Sequence, residues 1–276
     1  YGFLLKSGLF KNIFFILFIQ MEDLPKISIL TPTYDRKKFL PIMIHNIKNQ
    51  TYPREKLEWV ILDSYSFTGK EARPLFDSDN EVSLLSSLLG IEIKYQYLHK
   101  TMSIGEKRNW LVKNSKYDHL INLDSDDLYF PNYIQYSVDF LKKGKYSLIG
   151  SPEMLFIFPN HNYKMSYIRC QENRQIHEAS MLFSRKHFRK MRGFNTRGNG
   201  EGTKMVDGCR EKDFGKSDIR QQMVCICHDD NTCEKSRFLE DQFIIDASLS
   251  GDVIELMKNI FSSSASPSLQ DLFLDD

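Results

Sequence analysis

The sequence predicts an α/β fold, in which the strands of a parallel sheet alternate with helices. Two short apolar runs, Lys26–Leu30 and Leu57–Leu62, are typical of buried strands, and Pro32 is expected to end the first of them. Between the two runs, Phe39–Asn49 repeats apolar residues at the spacing of one helix face. Parallel neighbours need a crossover connection, so this strand–helix–strand order indicates a parallel sheet.

Composition and charge narrow the class of protein. The chain has 276 residues, enough for one large α/β domain or two small ones, and 41% of them are hydrophobic. A net charge of +1 gives no electrostatic case for nucleic acid or an anionic membrane as partner. Its five cysteines, an odd number, do not resemble a disulfide framework, so we expect a reducing, cytoplasmic location. The spacing of Cys225, Cys227, His228 and Cys233 matches no common zinc site, which leaves structural zinc a minor alternative.

The first 20 residues form a separate segment. Ile13–Ile19 is a short apolar run preceded by Lys6 and Lys11, whereas a bilayer span needs about 20 apolar residues. We therefore expect no transmembrane span, and we interpret residues 1–20 as extraneous sequence before a natural start at Met21. The alternative is a weak membrane-surface anchor.

Further elements continue the alternation of strands and helices. The predicted strands are Ile91–Leu98, Tyr117–Leu123, Tyr146–Gly150, Met154–Phe158, Ile176–Phe183 and Met223–Cys227. The predicted helices are Thr101–Asn114, a segment opened by Pro131, Ser184–Met191 and Ser236–Leu249. Residues 261–276, which are rich in serine and end in acids, are predicted to be a disordered tail.

The strongest chemical signal is a cluster of acids at the end of a predicted strand. The apolar run Leu120–Leu123 is followed at once by Asp124, Asp126 and Asp127. Carboxylates this close repel one another unless a positive charge lies among them. Oxygen ligands at the carboxyl end of a strand suit Mg²⁺ or Mn²⁺ that shares its shell with phosphate oxygens. The alternative is an acidic turn in which Asp127 or Ser125 caps the next helix.

Several motifs together resemble the nucleotide-sugar domain of inverting family 2 glycosyltransferases. In order, they are Thr31–Arg36, the break Gln50–Pro53, Val60–Ser64, Arg108–Asn109 and Leu123–Asp127. The resemblance covers about residues 26 to 240 and implies a GT-A fold, a single domain with a Rossmann-like mixed central sheet flanked by helices. It also implies that residues 21–150 bind the nucleotide sugar and that residues 151–260 bind the acceptor and carry catalysis. One departure is Ser64, where the family usually has a second acid.

The resemblance also implies the residues that bind the donor. Those expected to bind the nucleotide sugar are Pro32, Thr33, Tyr34, Arg36, Asp63, Arg108, Asp124 and Asp126. Asp63 is expected to accept a hydrogen bond from the base, typically uracil, and Arg108 to face the diphosphate. Asp126, Asp127 and His228 are expected to bind Mn²⁺ or Mg²⁺, with His228 following a late strand. The alternative is that His228 is a plain strand-end histidine.

The catalytic base is the least regular part of the pattern. An inverting transfer needs a carboxylate that deprotonates the acceptor hydroxyl as it attacks the anomeric carbon. In the family this acid usually belongs to a Glu-Asp pair soon after a Gly-Phe turn, which is Gly193–Phe194 here. At the expected distance Glu201 is followed by Gly202 rather than by Asp. Glu201 is the favoured base, and Asp241, in a true but late Glu-Asp pair, is the second candidate.

These expectations combine into one function with two alternatives. The sequence predicts a metal-dependent enzyme that transfers a sugar, with inversion, from a nucleoside diphosphate donor to an acceptor hydroxyl. We expect the donor to be a UDP-sugar and the acceptor a glycan, protein or lipid, with no nucleic acid as partner. One alternative is a nucleotidyltransferase, although no Gly-rich phosphate loop follows the first strand. The other is an inactive nucleotide-binding relative, because acids are missing after Asp63 and Glu201.

Overall fold

The computed structural model describes residues 24–65, 73–170, 175–197, 200–231 and 235–262. Its strands are β1 Ile27–Thr33, β2 Leu57–Tyr65, β3 Glu92–Thr101, β4 His119–Asn122, β5 Leu128–Tyr129, β6 Leu148–Gly150, β7 Glu153–Phe158, β8 Lys164–Arg169, β9 Leu182–Ser184, β10 Phe214–Lys216, β11 Met223–Ile226 and β12 Ile244–Ile245. Its helices are α1 Leu40–Lys48, α2 Asp79–Leu89, α3 Ile104–Asn114, α4 Tyr133–Gly144, α5 Arg185–Met191, α6 Thr203–Asp207 and α7 Gly251–Ser262.

A seven-stranded sheet forms the centre of the fold. Its strand order is β10–β6–β9–β4–β1–β2–β3. Strands β4, β1, β2 and β3 are mutually parallel, whereas β9 runs antiparallel between β4 and β6. The sheet is therefore mixed, and its parallel part contains the strand–helix–strand unit that the sequence predicts.

Helices cover both faces of the parallel strands. All seven residues of β1 are buried, as expected for a strand between two helical layers. Because side chains alternate along a strand, Ile29 and Ile61 join the core that includes α1 and α4, whereas Leu30 and Val60 join the core that includes α3. Burying one such side chain contributes about 1.5–3 kcal/mol, so these two cores fix the register of the sheet.

A second, five-stranded sheet packs beside the first and brings a late part of the chain to the same place. Its order is β12–β8–β7–β11–β5, and β7 and β11 are its one parallel pair among the described strands. The chain passes from β4 of the central sheet to β5 of this sheet through residues 123–127. The acidic stretch therefore lies where the two sheets meet.

Most predicted elements are confirmed, with small shifts at their ends. The expected end of β1 at Pro32 is wrong, because β1 keeps its pairing with β2 through Pro32 and Thr33. The predicted strand Ile176–Phe183 is also wrong over its first six residues, because β9 begins at Leu182. There, Glu178–Ser180 forms a 3-10 turn whose carbonyl oxygens are held by side chains from β4, β5 and α4.

The C-terminal part differs more from the prediction. The expected helix Ser236–Leu249 is wrong, because it is replaced by the 3-10 turns Ser236–Leu239 and Asp241–Phe243 and by β12, which pairs with β8. Helix α7 was not predicted, and it includes residues 261 and 262 of the expected tail. The rest of that tail and the segment 1–20 lie outside the described residues.

Strands from both sides of residue 150 mix in both sheets. The central sheet takes β9 and β10 from the later part of the chain, and the five-stranded sheet takes β5 from the earlier part. The division into a nucleotide half and an acceptor half stays a prediction about function. Within the described ranges, no helix has the length and apolar character needed to cross a bilayer.

Candidate active site

The predicted site residues follow parallel strands that end at one edge of the central sheet. Thr33 in β1 is the register partner of Asp63 in β2, and Leu30 is the register partner of Asn122 at the end of β4. Ligands of open α/β sheets bind at this edge. Pro32 and Thr33 are buried there, and Oγ1 of Thr33 has no hydrogen-bond partner in the described structure.

Asp63 offers a free acceptor atom in a buried position. Its Oδ2 accepts hydrogen bonds from the Leu75 N–H at 2.9 Å and from the Tyr95 hydroxyl at 3.1 Å. Its Oδ1 is buried and has no partner among the described residues. Burial raises the pKa of Asp63 to about 6, because it disfavours the charged carboxylate. Asp63 can therefore accept one further hydrogen bond from a ligand.

Lys107 supports the neighbouring Tyr34 from beneath. Its ammonium donates to the carbonyl oxygens of Thr33 at 2.7 Å and Ser64 at 3.3 Å, and it lies 5.5 Å from the centre of the Tyr34 ring. Burial lowers the pKa of Lys107 to about 8. Helix α3 begins with a capping box, in which the side chains of Ser103 and Glu106 each bond to the backbone N–H of the other residue. Lys107 lies on the buried side of this helix.

Arg108 lies at the centre of the site and pairs with two acids. Its Nη2 donates to Asp124 Oδ2 at 3.0 Å, and its Nε donates to Glu201 Oε1 at 3.1 Å. Burial lowers the pKa of Arg108, but the two carboxylates outweigh this and raise it above its ordinary value. Nη1 of Arg108 and Oδ1 of Asp124 are buried without a hydrogen-bond partner in the described structure. A donor and an acceptor are thus left for a ligand.

Asp126 lies between two groups that can carry positive charge. Its Oδ2 is 3.2 Å from Arg36 Nε and 3.2 Å from His228 Nε2. Burial opposes ionisation, yet His228 and Arg36 together hold the pKa of Asp126 down, at about 2. The His228 ring packs on Phe39 with ring centres 4.6 Å apart, which holds the imidazole toward the acid.

Asp127 faces the other sheet. Its Oδ1 accepts the Ile226 N–H of β11 at 3.1 Å, and its carbonyl oxygen accepts from Asn46 Nδ2 at 2.8 Å. Burial and the neighbouring Asp126 raise the pKa of Asp127 to about 8, although Lys235 acts in the opposite direction. This is the repulsion between close acids that a bound cation would relieve.

The spacing of Asp126 Oδ2 and His228 Nε2 fits two adjacent ligands of a divalent cation, and the Asn231 side chain, whose Nδ2 lies 2.9 Å from Nε2, would turn away to admit the ion. Adjacent ligands of an octahedral ion with bonds of about 2.1 Å lie about 3 Å apart, close to the observed 3.2 Å. A carboxylate with an imidazole suits Mn²⁺ better than Mg²⁺. The imidazole would then need its proton on Nδ1, which now accepts the Asp230 N–H at 3.2 Å. Among the described residues, no three His, Cys, Asp or Glu side chains form a complete metal site.

Glu178 is a site residue that the sequence prediction missed. It lies in the 3-10 turn Glu178–Ser180, and its Oε1 accepts the Gly202 N–H at 3.2 Å. Burial and the nearby Glu201 raise the pKa of Glu178 to about 7. In the sequence, Glu178 is a polar residue inside the apolar run Ile176–Phe183, which we interpreted as a strand.

Helix α3 and the loop that carries Glu201 are in direct backbone contact. A Cβ atom on Gly105 would lie 1.6 Å from the carbonyl oxygen of Asn195 and 3.3 Å from Cβ of Glu201. Glycine is therefore required at residue 105 for this approach. The Asn195 N–H also donates to the carbonyl oxygen of Glu201 at 2.9 Å.

The structure brings together most of the predicted site. The residues gathered at this edge are Pro32, Thr33, Tyr34, Arg36, Asp63, Arg108, Asp124, Asp126, Asp127, Glu201 and His228. Asp241 is not among them. It is exposed in a 3-10 turn that leads into β12, at the edge of the five-stranded sheet, and β8 and β7 separate β12 from β11.

Comparison with known proteins agrees with these features. Residues 28–205, more than half of the chain, match the family model described as glycosyl transferase family 2. An uncharacterized glycosyltransferase of Rickettsia felis is 27% identical over 188 residues, which cover 62% of this chain and 29% of that protein. One of Rickettsia conorii is 24% identical over 184 residues, which cover 61% and 28%. The chain thus spans less than a third of these curated relatives.

Solved structures agree on the fold. The Pyrobaculum calidifontis mannosyltransferase PcManGT in complex with GDP-Man and Mn²⁺ aligns with a TM-score of 0.53 at 18% identity, over 73% of this chain and 56% of that one. Residues 1–349 of Staphylococcus aureus TarS in complex with UDP-GlcNAc align with a TM-score of 0.54 at 13% identity, over 90% and 69%. The mixed central sheet flanked by helices is thus a GT-A fold, as the sequence resemblance implied. By its match over residues 28–205, the chain belongs to glycosyl transferase family 2.

Proposed function

We propose that the protein transfers a sugar from a nucleoside diphosphate to an acceptor hydroxyl, with a divalent cation bound at Asp126 and His228. The observation that carries this proposal is the pair itself, with Asp126 Oδ2 3.2 Å from His228 Nε2 at the carboxyl edge of a parallel sheet. A nucleoside diphosphate carries negative charge that a cation at this place would balance. Diphosphate oxygens and water would complete the shell of the cation.

The donor is proposed to be a UDP-sugar held along the edge from Asp63 to Asp124. The free Oδ1 of Asp63 can accept the N–H of uracil, and the Tyr34 ring backed by Lys107 can stack on the base. The free Nη1 of Arg108 supplies a donor for a phosphate or sugar oxygen. The similar structures hold UDP-GlcNAc in one case and GDP-Man in the other, so both are the first donors to test.

The transfer is proposed to proceed with inversion in one displacement. The acceptor oxygen attacks the anomeric carbon, a carboxylate takes the hydroxyl proton, and the nucleoside diphosphate leaves with the electron pair of the broken bond. A bound divalent cation supplies charge stabilisation to the leaving diphosphate. Glu201, the base predicted from the sequence, and Glu178 both lie beside Arg108.

Calorimetric titration tests this proposal directly. UDP should bind the wild-type protein in the presence of MnCl₂, and Asp126→Asn should weaken that binding at least about 10-fold, because a lone imidazole holds such an ion poorly. The matched control is Asp246→Asn, an exposed aspartate outside the site, which should bind as wild type does. Equal affinity of Asp126→Asn and the control would refute the cation assignment.

The inactive binding relative remains the second candidate, because Gly202 stands where the family pattern has an acid. Turnover separates the two. Release of UDP from UDP-GlcNAc, or of GDP from GDP-mannose, with MnCl₂ and a mixture of simple sugar acceptors supports the transferase. Tight, Mn²⁺-dependent binding of UDP with no release from any of a panel of nucleotide sugars supports the binding protein instead.

A further inference from the structure

We infer that Glu178 is the catalytic base of the proposed transfer, and that its carboxylate replaces the acid missing at residue 202. This inference rests on the proposed function and deepens it. The family pattern has a Glu-Asp pair here, and in this chain Gly202 stands in place of the second acid of that pair. In the structure, the carboxylate of Glu178, from a different part of the chain, lies beside Gly202.

The first observation is the space around Gly202. A Cβ atom on Gly202 would lie 2.4 Å from Cγ of Glu178 and 2.6 Å from Cε of Met181, closer than real Cβ atoms approach other atoms, and 3.0 Å from Oε1 of Glu178. The Glu178 carboxylate thus fills the volume into which a side chain at residue 202 would extend. Gly202 has φ −78° and ψ −16°, a conformation open to any residue, so the backbone itself does not require glycine there. The requirement comes from the side chains of Glu178 and Met181.

The second observation is the rigid placement of the turn that carries Glu178. The Glu178 carbonyl oxygen accepts from Asn122 Nδ2 at 2.7 Å, at the end of β4. The next carbonyl oxygen, that of Ala179, accepts from the hydroxyls of Tyr129 and Tyr133, each at 3.2 Å. Those three side chains are fully buried. A catalytic group held by such bonds keeps its position relative to the acids that follow β4.

The third observation is the charge around the two acids. The groups that face Glu178 are Glu201, the guanidinium of Arg108 and the N–H of Gly202. Burial first and Glu201 second raise the pKa of Glu178 to about 7, whereas Arg108 and the Gly202 N–H lower it less. Glu201 is instead bonded to Arg108 at 3.1 Å, which commits its carboxylate to an ion pair. Glu178, which is not held in that ion pair, is the acid left to accept a proton.

In the step itself, the hydroxyl proton of the acceptor moves to Glu178 while the acceptor oxygen forms its bond to the anomeric carbon. The bond from that carbon to the phosphate oxygen breaks, and its electron pair leaves with the diphosphate. Glu201 acts as a positioning residue, because it holds Arg108 between itself and Asp124. No oxidant or further reactant is needed.

The test compares Glu178→Gln and Glu201→Gln with the control Glu211→Gln, which changes an exposed glutamate outside the site. Activity is measured as the release of UDP or GDP from the nucleotide sugar that the wild-type protein turns over. Glu178→Gln should lower kcat by about 10²–10⁴-fold and leave the donor KM within about 3-fold. It should also abolish the rise of kcat/KM with pH, whose midpoint in the wild-type protein is expected near the pKa of Glu178, about 7. Glu211→Gln should match wild type throughout.

A second set of variants tests the replacement itself. Glu178→Ala should be as slow as Glu178→Gln. The double variant Glu178→Ala with Gly202→Asp returns the acid to the family position in the volume that Glu178 vacates, and we expect its kcat to exceed that of Glu178→Ala at least about 10-fold. Its UDP binding with MnCl₂ should equal that of wild type, which shows that the site is folded.

The outcomes are distinct. Wild-type kcat and an unchanged pH profile in Glu178→Gln overturn the inference, as does a loss of the pH-dependent rise in Glu201→Gln alone. A double variant that binds UDP normally but recovers no activity overturns the replacement. These results would leave the proposed function standing. A wild-type protein that binds neither UDP nor GDP with MnCl₂ would overturn the proposed function, and the inference with it.

Discussion

At the scale of single residues, the site is marked by buried polar atoms that lack partners. Among the described residues these include Thr33 Oγ1, Asp63 Oδ1, Arg108 Nη1 and Asp124 Oδ1, all near one edge of the central sheet. An unsatisfied buried polar atom costs about 1–3 kcal/mol. Several such costs in one place are expected where a ligand supplies the missing bonds, and a nucleoside diphosphate sugar carries the donors and acceptors to do so.

Asp63 gives a residue-scale prediction about pH. Its folded-state pKa of about 6 lies above the ordinary 3.8, so the native state binds more protons than the unfolded chain between these values. The free energy of unfolding should therefore fall as pH rises from 4 to 7, by up to about 3 kcal/mol from this group alone. Asp63→Asn lacks this ionisation, so its stability relative to wild type should rise over the same window.

Urea unfolding at pH 4, 5, 6 and 7 measures this difference. The exposed Leu84 provides the control, because Leu84→Ala changes no ionisable group and should keep a constant offset from wild type across the series. A stability difference between Asp63→Asn and wild type that does not change with pH would contradict the prediction. The same variant should bind UDP more weakly, since an amide has a single acceptor oxygen, which cannot serve both the present partners of Oδ2 and a ligand.

At the scale of elements, helix α1 holds the acidic stretch in place. Asn46, fully buried on α1, donates from Nδ2 to the carbonyl oxygen of Asp127 and accepts the Tyr129 N–H on Oδ1 at 2.9 Å. One side chain thus spans the connection from the acids to β5. Both bonds are buried, so neither partner can turn to water when the side chain is lost.

Removing the Asn46 side chain should affect both the stability of the fold and the binding of UDP. Asn46→Ala should lower the free energy of unfolding by about 2–4 kcal/mol, because two buried backbone groups lose their partners. It should also weaken Mn²⁺-dependent UDP binding, because Asp126 and Asp127 are no longer held. Denaturant unfolding and calorimetry measure the two effects. The control is Asn49→Ala at the C-terminal end of the same helix, where the exposed side chain bonds to His45; equal losses in both variants would contradict this role of Asn46.

The elements also show what the sequence could predict. Apolar runs and helical spacing identified the strands that end at the site and the helix that carries Arg108, because local pattern determines those elements. The turn at Glu178 could not be predicted this way. Its carbonyl groups are held by Asn122, Tyr129 and Tyr133, about 50 residues away along the chain, and no local pattern contains that information. Asp241 was misplaced for the same reason, because tertiary pairing in β12 replaced the expected helix.

At the scale of the whole molecule, the site lies where the two sheets and the last helix meet. The central sheet supplies the acids after β4, and the five-stranded sheet supplies the Ile226 N–H and His228 around β11. Helix α7 completes this region, because the Phe261 ring lies 5.9 Å from the Phe39 ring and 6.0 Å from the His228 ring, measured between centres. The order of these parts in the chain, with α7 last, gave no sequence signal for the contact.

Phe261 gives a prediction at this scale. Phe261→Ala should lower the free energy of unfolding by about 1–3 kcal/mol, less than for a fully buried Phe because the side chain is only half-buried. It should also weaken Mn²⁺-dependent UDP binding several-fold, because His228 loses one of the two rings that orient it. Thermal unfolding and calorimetry measure both changes. Lys258→Ala, exposed on the same helix, is the control. Unchanged UDP binding in Phe261→Ala would show that α7 does not contribute to the site.

Gly105 has a consequence for how this site can vary. Helix and loop touch there through main-chain atoms, so this contact sets how closely the backbones that carry Arg108 and its acidic partner on the loop approach each other. A single added methyl group would push the two segments apart and open that ion pair while leaving every ionisable group intact. Gly105→Ala should therefore lose turnover although every ionisable side chain is retained. Added carboxylates should not restore turnover, because the variant lacks no carboxylate.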